Sequence, residues 1–114
     1  MLNTNEVAAK VVEALDAKKG IDIKLLKIAD VTTLAEYFVI CTGSSNTHVK
    51  TLCDAAEEAM DAAGETIVSR EGHRGGTWVL LDYGAVVVHV FTEETREFYN
   101  LERLWNDATE ITAE

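Results

Sequence analysis

Three histidines, two cysteines and a serine-rich turn are the features of this 114-residue chain whose residue types could do chemistry. The turn, Gly43-Ser44-Ser45-Asn46-Thr47, precedes a helical pattern. Backbone amides at such a helix start can hold an anion. Metal-dependent nucleotidyl transfer, which a Gly-Ser turn of this kind could serve, also needs paired carboxylates on a nearby strand to hold two metal ions. Downstream stands only Asp54, on a helix among Ala55, Ala56 and Glu57. The turn therefore reads as a helix cap. His48 falls in the first turn of a helix, His73 in a glycine loop and His89 on a strand. None has a partner at i+4 or in a short metal motif, so no metal site is expected. His48 and His89 could act as general bases, yet neither has an identifiable nucleophile or orienting carboxylate. Structural histidines are the expectation, although His89 interrupts an apolar run and needs a reason. Cys41 and Cys53 fit no CxxC or zinc spacing and read as buried free thiols. The loop Glu71-Gly72-His73-Arg74-Gly75-Gly76 has neither dinucleotide nor Walker spacing. No catalysis and no cofactor are expected.

The elements that carry these residues follow from periodicity. Asn3 and Glu6 resemble a capping box, and Val7, Val11, Val12 and Leu15 recur at helical spacing. Lys18 and Lys19 close that helix, with Gly20 as its C′ residue. Ile21, Ile23 and Leu25 alternate with Asp22 and Lys24 as a half-buried strand, and Tyr37 to Thr42 reads as a strand buried on both faces. Val49, Leu52, Cys53, Ala56, Met60 and Ala63 trace a helical face that Gly64 ends. Residues 65–71 alternate weakly as a strand; Thr77 to Asp82 and Ala85 to Phe91 form a hairpin around Tyr83-Gly84. Thr92 caps a last helix bearing Phe98, Leu101, Leu104 and Trp105, and residues from Asn106 onward read as a frayed tail. The order is α-β-β-α-β-β-β-α. The helix after the second strand implies a crossover, and close spacing of the last three strands implies antiparallel pairing. An α/β fold follows, with a mixed sheet of about five strands flanked by helices.

On the hairpin, Trp78, Leu80 and Asp82 share one face, opposite Val79 and Leu81. Val87, His89 and Phe91 likewise oppose Val86, Val88 and Val90. Both faces are apolar, so both must be covered, by helix or by partner. Tryptophan and tyrosine beside carboxylates are the residue types that anchor protein interfaces. Trp78 as core, with Asp82-Tyr83 as a plain turn, fits the pattern equally well.

Size and charge bound the partner. A chain of 114 residues with 47% hydrophobic and 26% charged residues forms one domain, read as a core over 1–105 and a tail over 106–114. The N-terminal ten residues lack the apolar region of a leader, and no apolar run approaches ~20 residues, so a cytoplasmic protein without membrane contact is expected. Twenty acidic residues against ten basic ones give a net charge of −10. Residues 1–30 are balanced, five acids against five lysines, so the whole excess lies in 31–114. Direct nucleic-acid binding needs a lysine- and arginine-rich surface, and none is expected here. An acidic body is drawn instead to a basic protein surface.

The ordered blocks Tyr37-Phe38-Val39-Ile40-Cys41-Thr42-Gly43-Ser44-Ser45, His48-Val49, Glu71-Gly72, Trp78-Val79-Leu80-Leu81-Asp82-Tyr83-Gly84, Val86-Val87-Val88-His89-Val90-Phe91, then Arg96, Tyr99, Leu101-Glu102 and Leu104-Trp105 span nearly the whole chain. Together they resemble the ribosomal silencing factor family, also called Iojap-like. The resemblance implies a nucleotidyltransferase-like topology without the catalytic carboxylates. It implies binding to the large ribosomal subunit through ribosomal protein uL14, so that joining of the small subunit is sterically blocked and translation falls under starvation. By residue match the contact surface comprises Trp78, Asp82, Tyr83, Glu71, His89, Tyr99 and Glu102. Ala85 departs from a pattern that often has an acid after the glycine. A homodimer is also implied. The competing class is a nucleotidyltransferase-like enzyme or nucleotide-binding protein.

Overall fold

The structure is a computed structural model and describes residues 4–27, 36–72, 75–99 and 109–111. Helix α1 (Thr4–Ala17) is followed by strands β1 (Ile21–Lys27) and β2 (Tyr37–Gly43), then helix α2 (Asn46–Ala62). Strands β3 (Ser69–Glu71), β4 (Trp78–Asp82) and β5 (Val86–Thr92) lead into helix α3 (Glu93–Tyr99), and β6 (Thr109–Ile111) completes the set. The strands form one mixed sheet in the order β3-β4-β5-β2-β1-β6. Among the described residues only β2 and β5 pair in parallel; the last three expected strands pair antiparallel, and α2 crosses over from β2 to the distant edge strand β3. Asn3 and the expected continuation of α3 through Leu101, Leu104 and Trp105 lie outside the described residues.

Two differences concern strands. Residues 65–68 stay out of the sheet, so β3 is only three residues long. Thr109–Ile111, read from sequence as tail, pairs antiparallel with β1 and makes a sixth strand. Three residues are too few to show a period, and such a short strand forms only where an edge already offers its hydrogen bonds.

The buried residues divide between the two faces of the sheet. Val7, Val11 and Leu15 of α1 and Val49, Leu52, Cys53 and Met60 of α2 pack on Val39, Cys41, Val79, Leu81, Val88 and Val90. A smaller cluster on the other face joins Leu26, Phe38, Ile40, Val87 and Phe91, with Trp78 and Leu80 half-buried against it. Alternation therefore sorts β4 and β5 as their sequences require.

The end of α1 departs from expectation. Gly20 N–H bonds the Leu15 carbonyl at 2.9 Å and Lys19 N–H bonds the Asp16 carbonyl at 2.9 Å, the two bonds of a Schellman motif. Lys19, at φ 63°, thus takes the left-handed C′ position and Gly20 sits one residue later. Glycine is required there for space: a Cβ would stand 2.6 Å from Cys41 Sγ. In β1 the strict alternation also fails. Asp22 has φ 49° in an irregularity between Ile21 and Lys24, which leaves Ile21 exposed.

Candidate partner-binding face

The antiparallel register of β4 and β5 sets Trp78 opposite Phe91, Leu80 opposite His89 and Asp82 opposite Val87. Direct cross-strand partners point to the same side of a sheet. Glu71 pairs with Leu80 on β3 and joins that side too. Four of the expected contact residues, Trp78, Asp82, Glu71 and His89, are thereby brought to one face.

Their exposures differ. Trp78 and Leu80 are half-buried and Glu71 is exposed on the edge strand, whereas His89 is only 4% exposed. Its imidazole lies edge-on to Phe38, with centroids 4.8 Å apart, and nearly parallel to Phe91 at 6.0 Å. The Trp78 ring stacks on Phe91 at 5.2 Å, and its Nε1–H donates to His89 Nδ1 at 3.2 Å. Burial pushes the His89 imidazole down to about 4, so the ring is neutral near pH 7. The histidine in the apolar run thus accepts the indole N–H. Gly72 supports the same strand: at φ 79° its backbone passes so close to the Trp78 carbonyl that a Cβ would collide with it.

Asp82 is half-buried and its Oδ1 accepts the Gly84 N–H at 2.8 Å, closing the hairpin turn. Tyr83 turns the other way. It is buried with the α1–α2 core, and burial, reinforced by Glu57 and Asp61, raises its hydroxyl to about 12. Tyr83 and Trp78 consequently do not share a surface. The side chain of Tyr99, at the end of α3, and the whole of Glu102 lie outside the described residues, as do His73 and Arg74.

The serine turn resolves into helix capping. Ser45 Oγ accepts the His48 N–H at 3.1 Å as N-cap of α2. The Ser44 N–H donates to His48 Nδ1 at 2.8 Å, which leaves the ring proton on Nε2 to donate to the Lys18 carbonyl at 2.9 Å. Both imidazole nitrogens are thus spent tying α1 to the turn. A cleft of about 510 Å³ opens beside it, lined by Ser44, Ser45, Thr77 and Thr92, and by Glu93, Glu94 and Glu97 of α3. Those carboxylates repel the phosphates that a nucleotide would bring. Among the described residues no group of three or more His, Cys, Asp or Glu side chains could hold a metal ion. Cys41 and Cys53 are buried free thiols, each raised to about 12 by burial. No helix among the described residues is long and apolar enough to cross a membrane.

Arg96 of α3 is a structural residue that periodicity does not reveal. Only 8% exposed, it donates from Nη1 to the Thr42 hydroxyl and to the Asp22 carbonyl, each at 2.8 Å. An arginine two residues before Phe98 on an amphipathic helix reads as solvated until the two strand ends it joins are known.

The family model described as "Ribosomal silencing factor during starvation" matches residues 2–114. The chain belongs to the ribosomal silencing factor family. The ribosomal silencing factor of Chromobacterium violaceum is 39% identical over 104 residues, covering 91% of this chain and 85% of that protein. A crystal structure of a protein from the same organism superposes with a TM-score of 0.90 at 39% identity, covering 92% of this chain and 88% of that one. A more distant relative is the mouse protein named "Mitochondrial assembly of ribosomal large subunit protein 1", 29% identical over 97 residues, which are 82% of this chain and 42% of that protein. The α/β architecture expected from the sequence is the architecture of ribosomal silencing factors.

Proposed function

We propose that this chain binds the large ribosomal subunit through ribosomal protein uL14 and sterically blocks association with the small subunit, repressing translation under starvation or in stationary phase. The observation that carries the reading is the Trp78–Leu80 pair, half-buried on a sheet face beside the carboxylates of Glu71 and Asp82, in a member of the silencing factor family. An aromatic anchor ringed by acids suits a partner with an apolar knob among basic residues. The net charge of −10 favours the same kind of partner and disfavours direct contact with RNA. The protein acts in the cytoplasm, by binding rather than catalysis.

Tyr83, His89, Tyr99 and Glu102 complete the proposed set; His89 is buried beside Trp78, and Tyr83 is buried on the opposite face of the sheet. A homodimer built on the same face would compete with the subunit, so light scattering over a concentration series should show dimer lost as large subunits are added. Trp78→Ala tests the face itself. The variant should keep its fold by circular dichroism and lose affinity for purified large subunits by roughly 2 kcal/mol, as anchoring tryptophans do. Wild-type affinity in a folded Trp78→Ala would remove Trp78 from the interface.

A further inference from the structure

We propose that His89 is the positioning residue of the Trp78 face: it takes the indole N–H inward, so that the ring's apolar surface is what a partner meets. The identity of that partner rests on the reading above; the positioning does not. An indole nitrogen can only donate, so His89 Nδ1 must be the acceptor and the neutral ring must carry its proton on Nε2. That Nε2 is buried and has no hydrogen-bond partner among the described residues. A buried donor without a partner is unfavourable, and a position needed for packing alone would do better with an aliphatic side chain. The same strand does use valine at 86, 87, 88 and 90. One nitrogen is thus left unpaired while the other holds Trp78, and Phe38 and Phe91 fix the plane of the ring between them.

Glu71 stands exposed on β3 opposite Leu80, and two other charged groups of the adjoining elements are engaged elsewhere. Asp82 on β4 accepts the Gly84 N–H, and Arg96 on α3 binds Thr42 and Asp22. With its N–H turned inward, Trp78 offers no donor to a partner. The face therefore selects an apolar group at its centre and leaves polar recognition to its acidic surroundings.

The test combines nuclear magnetic resonance on the full chain with binding to purified large subunits. In the wild type, long-range ring-nitrogen spectra should show His89 protonated on Nε2 and bare on Nδ1; the opposite tautomer would overturn the proposal. His89→Leu removes the acceptor at similar volume, and the Trp78 indole N–H, assigned by its loss in Trp78→Phe, should then exchange with solvent roughly tenfold faster or more. Affinity for large subunits should fall by roughly tenfold in step. His89→Asn places an amide oxygen near the Nδ1 position and should restore both. A folded His89→Leu with unchanged indole exchange refutes positioning; if affinity nevertheless falls, His89 is a contact. If His89→Leu does not fold, the wild-type tautomer and His89→Asn decide. If the wild type does not bind large subunits, the proposed function fails, while tautomer and exchange still decide whether His89 holds Trp78.

Discussion

Arg96 reaches back 74 residues to bond the carbonyl of Asp22, the residue that stands at φ 49° in the irregular start of β1. The same Nη1 bonds the Thr42 hydroxyl, so one buried guanidinium joins α3 to the ends of β1 and β2. Asp22 tolerates the left-handed region better than most residues, and the arginine holds its carbonyl in that geometry. The carboxylate of Asp22 is 3.5 Å from Nη2 but largely exposed, so the backbone bond matters more than the ion pair.

Replacing Arg96 by Met keeps most of the packing and removes both hydrogen bonds. The expected loss is roughly 2–4 kcal/mol, since a hydrogen bond from a charged donor is worth more than one from a neutral donor. Urea denaturation of Arg96→Met measures it. Asp22→Asn, which retains the carbonyl, should change stability by under about 0.5 kcal/mol.

His89 makes stability depend on pH. Its folded value of about 4 lies below the ordinary 6.5, so the unfolded chain binds the proton more readily. The stability conferred by the neutral ring is complete above about 6.5 and is lost as pH falls from there through about 4, by at most about 3 kcal/mol. Urea midpoints of wild type and His89→Asn at pH 7, 5.5 and 4.5 isolate this from the carboxylates, which both proteins share. The gap between them should shift steadily in favour of His89→Asn as pH falls; a constant gap would contradict the assignment.

The two residues that end α1 predict opposite effects. Lys19→Gly relieves a left-handed lysine and should stabilise by up to about 1 kcal/mol. Gly20→Ala drives a methyl group to within 2.6 Å of Cys41 Sγ and 3.0 Å of the Leu15 carbonyl, and should destabilise by about 1–3 kcal/mol. Thermal unfolding of the two variants side by side checks both signs.

Much of this was legible in advance because one rule governed it. Period-two alternation sorted Trp78 and Leu80 from Val79 and Leu81, and period 3.6 found the buried faces of α1 and α2. Gly64, at φ 79°, ends α2 as its position suggests. What pattern could not supply depends on contacts distant in sequence. The burial of Arg96 needs Thr42 and Asp22, and the role of Gly20 needs Cys41. Thr109–Ile111 needs the open edge of β1. Tyr83 follows Asp82 directly and so falls on the opposite face from Trp78, which separates two residues that sequence adjacency groups together. His89 announced itself by breaking an apolar run, but only the register of β4 and β5 shows that Trp78 is its partner.

Subunit exclusion can be read from a sucrose gradient. Purified protein is incubated with large ribosomal subunits, small subunits are added, and the mixture is sedimented with wild-type and Trp78→Ala protein in parallel. The wild type should travel with the large subunit and deplete whole ribosomes, while Trp78→Ala lets them form. Whole ribosomes forming normally with saturating wild-type protein, which remains at the top of the gradient, would contradict it.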